Sequence, residues 1–146
     1  MMHHDLPLKA ISIQQPWSYL IVTGIKPVEN RSWPTSFRGP VAIHAGLKFD
    51  RDARQDVIDN RHPVTGEPHL FVDGLPKDFM DMASGRMNSG IVGVAEIVDC
   101  VTHHPSDWFV GEYGFVIANA RPVQFIPCKG ALGLFDWRRQ IEKEAA

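Results

Sequence analysis

The sequence predicts an α+β fold, and three observations carry that prediction. Several short stretches alternate apolar and polar residues with the period of two that marks strands. Between them lie segments with helical i, i+3, i+4 spacing and recognisable caps. Apolar residues make up 44% and charged residues 22% of 146 residues, a globular profile with enough chain for one full core. We therefore expect a single domain over residues 1–146.

Leu6 to Ile13 alternates and reads as the first strand, stopped at Pro16. Proline suits the first turn of a helix, where its missing N–H would be unpaired anyway. Trp17 to Thr23 reads as a short buried helix, and Gly24 supplies the left-handed residue that ends it. Trp17, Leu20 and Ile21 share one face and are expected to be ordinary core. Ser12 and Gln15 sit at the strand-to-helix junction, where a polar side chain can point into a cleft or cap the helix. Capping is the expected role of Gln15.

Gly24 to Arg31 is a charged strand. Glu29 and Arg31 share a face by alternation, and a bulge near Pro27 would bring Lys26 to join them. Trp33 to Pro40 is a loop rich in breakers. Val41 to Ala45 is a strand with Ala42 and His44 on one side; a lone strand histidine is usually structural, although this one stands near many charges. Phe49 to Arg61 reads as a helix with Asp50 as N-cap and a thin stripe of Ala53, Val57 and Ile58. Residues 62–88 form an irregular insert with a short helix expected near Lys77 to Ala83, and the insert could cover a cleft as a lid.

Gly90 to Val101 is a long strand with apolar residues on both sides, as in a curved sheet. Glu96 stands out on it and is expected to pair with Arg31 or Arg38, or to face solvent, rather than to act in catalysis. Phe115 to Ala118 and Val123 to Ile126 read as two final strands broken at Arg121-Pro122, and Leu134 to Glu144 as a terminal helix.

The formal net charge of -2 excludes a wholly basic nucleic-acid clamp. Charge is instead local. From Gly24 to Lys48 the cations Lys26, Arg31, Arg38 and Lys48 face one carboxylate, Glu29. Such a cluster could bind a polar, planar ligand, or its members could simply neutralise one another. Cys100 and Cys128, in apolar surroundings and without Cys-x-x-Cys spacing, are expected to be free thiols of a reducing compartment. No signal peptide or membrane span is visible, so the cytoplasm is the expected location. Adjacent His103 and His104 point opposite ways on an extended chain, so neither a metal nor a cofactor is expected.

Ile11-Ser-Ile-Gln-Gln-Pro-Trp17, Leu20-Ile-Val-Thr-Gly-Ile-Lys26, Val28-Glu-Asn-Arg-Ser-Trp33, Arg38-Gly-Pro40 and Ile43-His-Ala45 together resemble the signature of the ASCH domain, the activating signal cointegrator homology family of the PUA-like group. Ser89 to Cys100, Tyr113 to Ile117 and Pro127 to Phe135 continue the resemblance in order, so that it spans most of the chain. The resemblance implies a small, mostly antiparallel β-barrel (PUA-like) flanked by helices, with a cleft beside the first motif. It also implies association with RNA or, in some members, DNA.

Three functional expectations follow. The first is binding of single-stranded RNA or DNA, or of a modified nucleoside, in an electropositive cleft. Trp33 would stack a base, although packing in the core would serve it equally. Asn30 or Ser12 would read the base edge, and Lys26, Arg31 and Arg38 would meet phosphate, with Gln15, Glu29 and His44 completing the ligand-binding set. The second is metal-independent hydrolysis centred on Lys26 and Glu29. Some proteins resembling this family remove the acyl group of N4-acetylcytidine with a Lys, a Thr three residues on and an Arg two further; here Lys26 and Arg31 align and Glu29 takes the place of Thr. A ribonuclease using the RNA 2′-hydroxyl is the related alternative. The third is a structural module in which Glu29 only holds its arginines and the protein acts through a partner.

Overall fold

A computed structural model describes residues 5–71 and 89–145. The elements run β1 (Lys9–Gln15), α1 (Trp17–Val22), β2 (Val28–Arg31), β3 (Gly39–Phe49), α2 (Arg51–Ile58), β4 (Gly90–Val101), β5 (Tyr113–Pro127), β6 (Leu134–Asp136) and α3 (Trp137–Ala145). The helix expected near Lys77 to Ala83, and with it most of the insert, lies outside the described residues.

The strands form one sheet in the order β2-β5-β4-β3-β1-β6. β1 and β3 are parallel, joined by the crossover through α1 and β2, and every other neighbouring pair is antiparallel. The α+β class and the mostly antiparallel sheet agree with expectation, but the closed barrel does not. The sheet is open, with β2 and β6 as its two ends. Those end strands are only 4 and 3 residues long, too short to zip together. Ile21 and Val22 of α1 instead cover the apolar face, in one cluster with Ile11, Val41, Ile43, Ile97 and Phe115. A helix thus supplies the burial that closure would otherwise give.

The central strands are buried on both sides. Ile11 and Ile13 of β1 and Val41 and Ile43 of β3 face α1, whereas Ala10 and Ala42 face a second cluster around Trp137 of α3. The indole N–H of Trp137 donates to the Pro7 carbonyl at 2.7 Å, tying the last helix to the start of β1. A third cluster, with Tyr19, Leu20, Val57, Phe71 and Trp108, joins α1 to α2. Gly93 makes the seat for α1, because a Cβ there would run into Val22 and into the Arg121 carbonyl.

Several local expectations change. Pro16 is the residue before α1, and no side chain caps that helix, so Gln15 is not its cap. The stretch read as two strands is one, β5; Arg121 and Pro122 sit where its pairing with β4 shifts register, a place where proline does little harm. Leu134 to Asp136 pair with β1 instead of starting the helix, and the Asp136 carboxylate then accepts from the Arg138 N–H at 3.1 Å. Asp50 caps α2 as expected, accepting from the Ala53 N–H at 3.0 Å. Neither Cys100 nor Cys128 is joined in a disulfide.

Candidate functional site

The end of α1 places the first charge. Gly24 adopts a φ of 81°, the left-handed turn that stops the helix, and the Lys26 N–H returns to the Leu20 carbonyl at 2.9 Å. The chain then enters β2. Pro27 precedes that strand, and its carbonyl accepts from the Ile117 N–H at 2.9 Å, so no bulge is needed. Lys26 reaches Glu29 from the connection itself.

Three charges meet there. The Lys26 ammonium donates to the Val28 carbonyl and to Glu29 Oε1, the latter at 3.3 Å. Arg31 Nε lies 3.1 Å from Glu29 Oε2, an ion-pair separation whose N–H direction falls short of a hydrogen bond. Arg31 Nη2 donates to the Ser12 carbonyl at 2.8 Å, fastening β2 to β1. Lys26 and Glu29 are buried, at 3% and 7% exposure. Burial lowers the Lys26 pKa below its usual 10.5, partly offset by the Glu29 charge.

These side chains line a cavity of about 500 Å³ with Ser12, Trp17 and Trp33. The Lys26 ammonium lies 5.6 Å from the Trp17 ring centre, and the Arg31 guanidinium 5.8 Å from that of Trp33. Trp33 is half-buried and packs edge-on against Phe115 at 5.1 Å. Asn30 donates to the Trp108 carbonyl at 2.9 Å and accepts from the Val110 N–H at 3.1 Å, holding a loop that forms one wall. Trp17, expected to be plain core, is a wall residue as well. Its apolar spacing carried no sign of this, because the cavity is made by elements distant in sequence. Val64, from the described part of the insert, contributes to the rim.

Other candidates lie elsewhere. Arg38 is exposed, pairs with Asp99 at 3.6 Å and does not line the cavity. Glu96 meets neither arginine; it accepts from Asn119 at 3.0 Å. Gln15 is buried, with no partner for its side-chain oxygen among the described residues, and lies outside the cavity lining. His44 is buried behind β1. Its Nε2 lies 2.9 Å from the Cys128 carbonyl, which only accepts, so Nε2 carries the proton. Its Nδ1 lies 2.9 Å from Ser12 Oγ and, in the neutral ring, accepts from that hydroxyl. Next to the cavity, His62 stacks on Trp108 at 3.9 Å, and burial together with His69 lowers its pKa below 6.5 despite an opposing pull from Asp107.

Chemically, the cavity offers donors beside an acceptor. Two of the three N–H groups of the Lys26 ammonium are used within the described residues. Each Glu29 oxygen keeps a lone pair beyond its cation. Among the described residues no group of His, Cys, Asp and Glu could hold a metal ion, and no helix is long and apolar enough to cross a membrane.

The family model described as ASCH domain matches residues 11–127. Activating signal cointegrator 1 of Homo sapiens is 53% identical over 93 residues, and the protein of that name from Mus musculus is 33% identical over 93 residues. Each alignment covers 63% of this chain but only 14% of the relative, so the match reaches a small part of those longer proteins.

Proposed function

The chain belongs to the ASCH domain family, and on that premise we propose that its cavity lodges one unstacked nucleobase, carried by single-stranded RNA or DNA or by a modified nucleoside. One observation carries this reading: Lys26, Glu29 and Arg31 converge on a cavity walled by Trp17 and Trp33. A planar base needs aromatic surface for its faces and fixed donors and acceptors for its edge. The indoles supply the first. Glu29 can accept from an exocyclic amine while Lys26 donates to a neighbouring carbonyl or ring nitrogen. In a duplex that edge is already paired, which favours a single strand or a free nucleoside. A volume of about 500 Å³ lies within the ordinary range of small-ligand sites.

Titration of cytidine and of a single-stranded hexanucleotide against the wild type, Lys26→Met and Trp33→Ala tests the proposal. Methionine keeps the lysine stem in place while removing its charge. Loss of stacking is worth about 1–3 kcal/mol per base, so Trp33→Ala should weaken both ligands by about fivefold or more. Equal affinity in all three proteins would overturn the reading.

A second reading rests on the buried Lys26. Its lowered pKa populates the free amine closer to neutrality, where it could act as a base for hydrolysis of an N4-acyl cytidine. Release of acetate from N4-acetylcytidine above a Lys26→Met control supports that activity, and equal release dismisses it.

A further inference from the structure

We infer that the bound strand continues past the cavity, and that a basic groove on the far side of Ser12 takes the phosphate of the adjoining nucleotide. This inference rests on the nucleobase reading and makes the ligand an oligonucleotide rather than a free nucleoside. The groove has a volume of about 430 Å³ and is lined by Ser12, Gln14, His44, Lys48, Ser89 and Lys129, among others. Ser12 and Gln14 also line the first cavity, so the two depressions meet across β1.

The chemistry of the two depressions differs. The cavity holds indoles and a carboxylate between two cations. Among the described residues, no Trp, Tyr or Phe lines the groove, nor does any Asp or Glu. It has two exposed lysines from separate elements, Lys48 near the end of β3 and Lys129 just after β5. An ammonium on a long stem is a compact charge that suits phosphate and reads no base. A nucleoside seated in the cavity would touch neither lysine, whereas the next phosphate of a strand that crosses β1 would enter the groove they line.

The floor of the groove is held in place. His44 is gripped from both ring nitrogens, by the Cys128 carbonyl and by Ser12 Oγ. Gly130 packs directly on this pair: a Cβ there would stand 2.8 Å from His44 Cε1 and 3.1 Å from Ser12 Oγ. The bare backbone lets the chain carrying Lys129 lie close to Ser12 without lifting it away from β1.

The test compares cytidine with a single-stranded hexacytidylate, across a salt series, for the wild type and the double variant Lys48→Ala/Lys129→Ala. Both lysines are exposed, so the variant should unfold as the wild type does, which circular dichroism checks. The wild type should bind the hexamer about tenfold or more tightly than cytidine. The variant should lose most of that gain and keep its cytidine affinity. Each phosphate contact on a single strand contributes about 0.7 to the slope of log K against log salt, so two lost contacts reduce it by about 1.4. A variant that binds the hexamer with unchanged affinity and slope, while cytidine still binds, overturns the groove and leaves the cavity reading intact. Failure of the wild type to bind either ligand overturns both.

Discussion

Arg31 and Arg38 leave neighbouring parts of the chain, and each faces a carboxylate, yet the two pairs sit in opposite surroundings. In the Arg31–Glu29 pair the side chains are 21% and 9% exposed, and a buried lysine adds a second cation. In the Arg38–Asp99 pair the figures are 42% and 59%. Water already solvates the outer pair, so its geometry can be broken at little cost. The inner group has given up most of its hydration and depends on its own members for compensation. What makes a charge cluster a candidate site is thus the desolvated wall it presents to a cavity. Each place sets an arginine against a carboxylate.

The largest effect that would separate the two pairs is removal of Glu29. Glu29→Ala leaves the Lys26 ammonium and the Arg31 guanidinium facing each other without their anion, and breaking a buried pair in this way costs about 3–5 kcal/mol. Urea unfolding measures it, and a loss below about 1 kcal/mol would erase the contrast. A smaller effect should appear with pH. The folded Lys26 releases its proton at a lower pH than the unfolded one, which holds it to about 10.5. Between those two values the unfolded chain binds more protons, so raising pH favours the fold; below both, the burial penalty is fully present. Wild-type stability, measured against Lys26→Met, should therefore rise from neutral pH toward pH 10. A flat difference would show that Lys26 is not held in a depressed state. The smallest effect belongs to the outer pair: Asp99→Ala should change stability by no more than about 1 kcal/mol and leave cytidine binding unaltered.

Much of this arrangement was legible in the sequence where the signal is local. β4 runs over the residues that its apolar pattern marks, and Asp50 caps α2. The Lys26–Glu29–Arg31 convergence was readable as a grouping of charges near a helix stop, although the route differs, since Lys26 arrives from a connection and not from a bulged strand. Features decided by distant partners were not readable. The parallel pairing of β1 with β3, the three-residue β6 and the open sheet depend on which strand finds which edge, and alternation does not encode that. Trp17 could not be told from core because its exposed side is defined by Asn30, Val64 and Val110. Arg38 looked like a member of the site by proximity in the chain, but its guanidinium donates to the Thr35 and Phe37 carbonyls beside it at 2.9 Å.

The missing side chain at Gly93 reaches further than its own contact. It sets how low Val22 sits, and the same helix carries the Leu20 carbonyl to which the Lys26 backbone is bonded. The position acts as a shim of zero thickness beneath the helix: one added methyl would raise α1 and draw the ammonium off its carboxylate. The tuning of the cavity is thereby written into a residue that never meets the ligand.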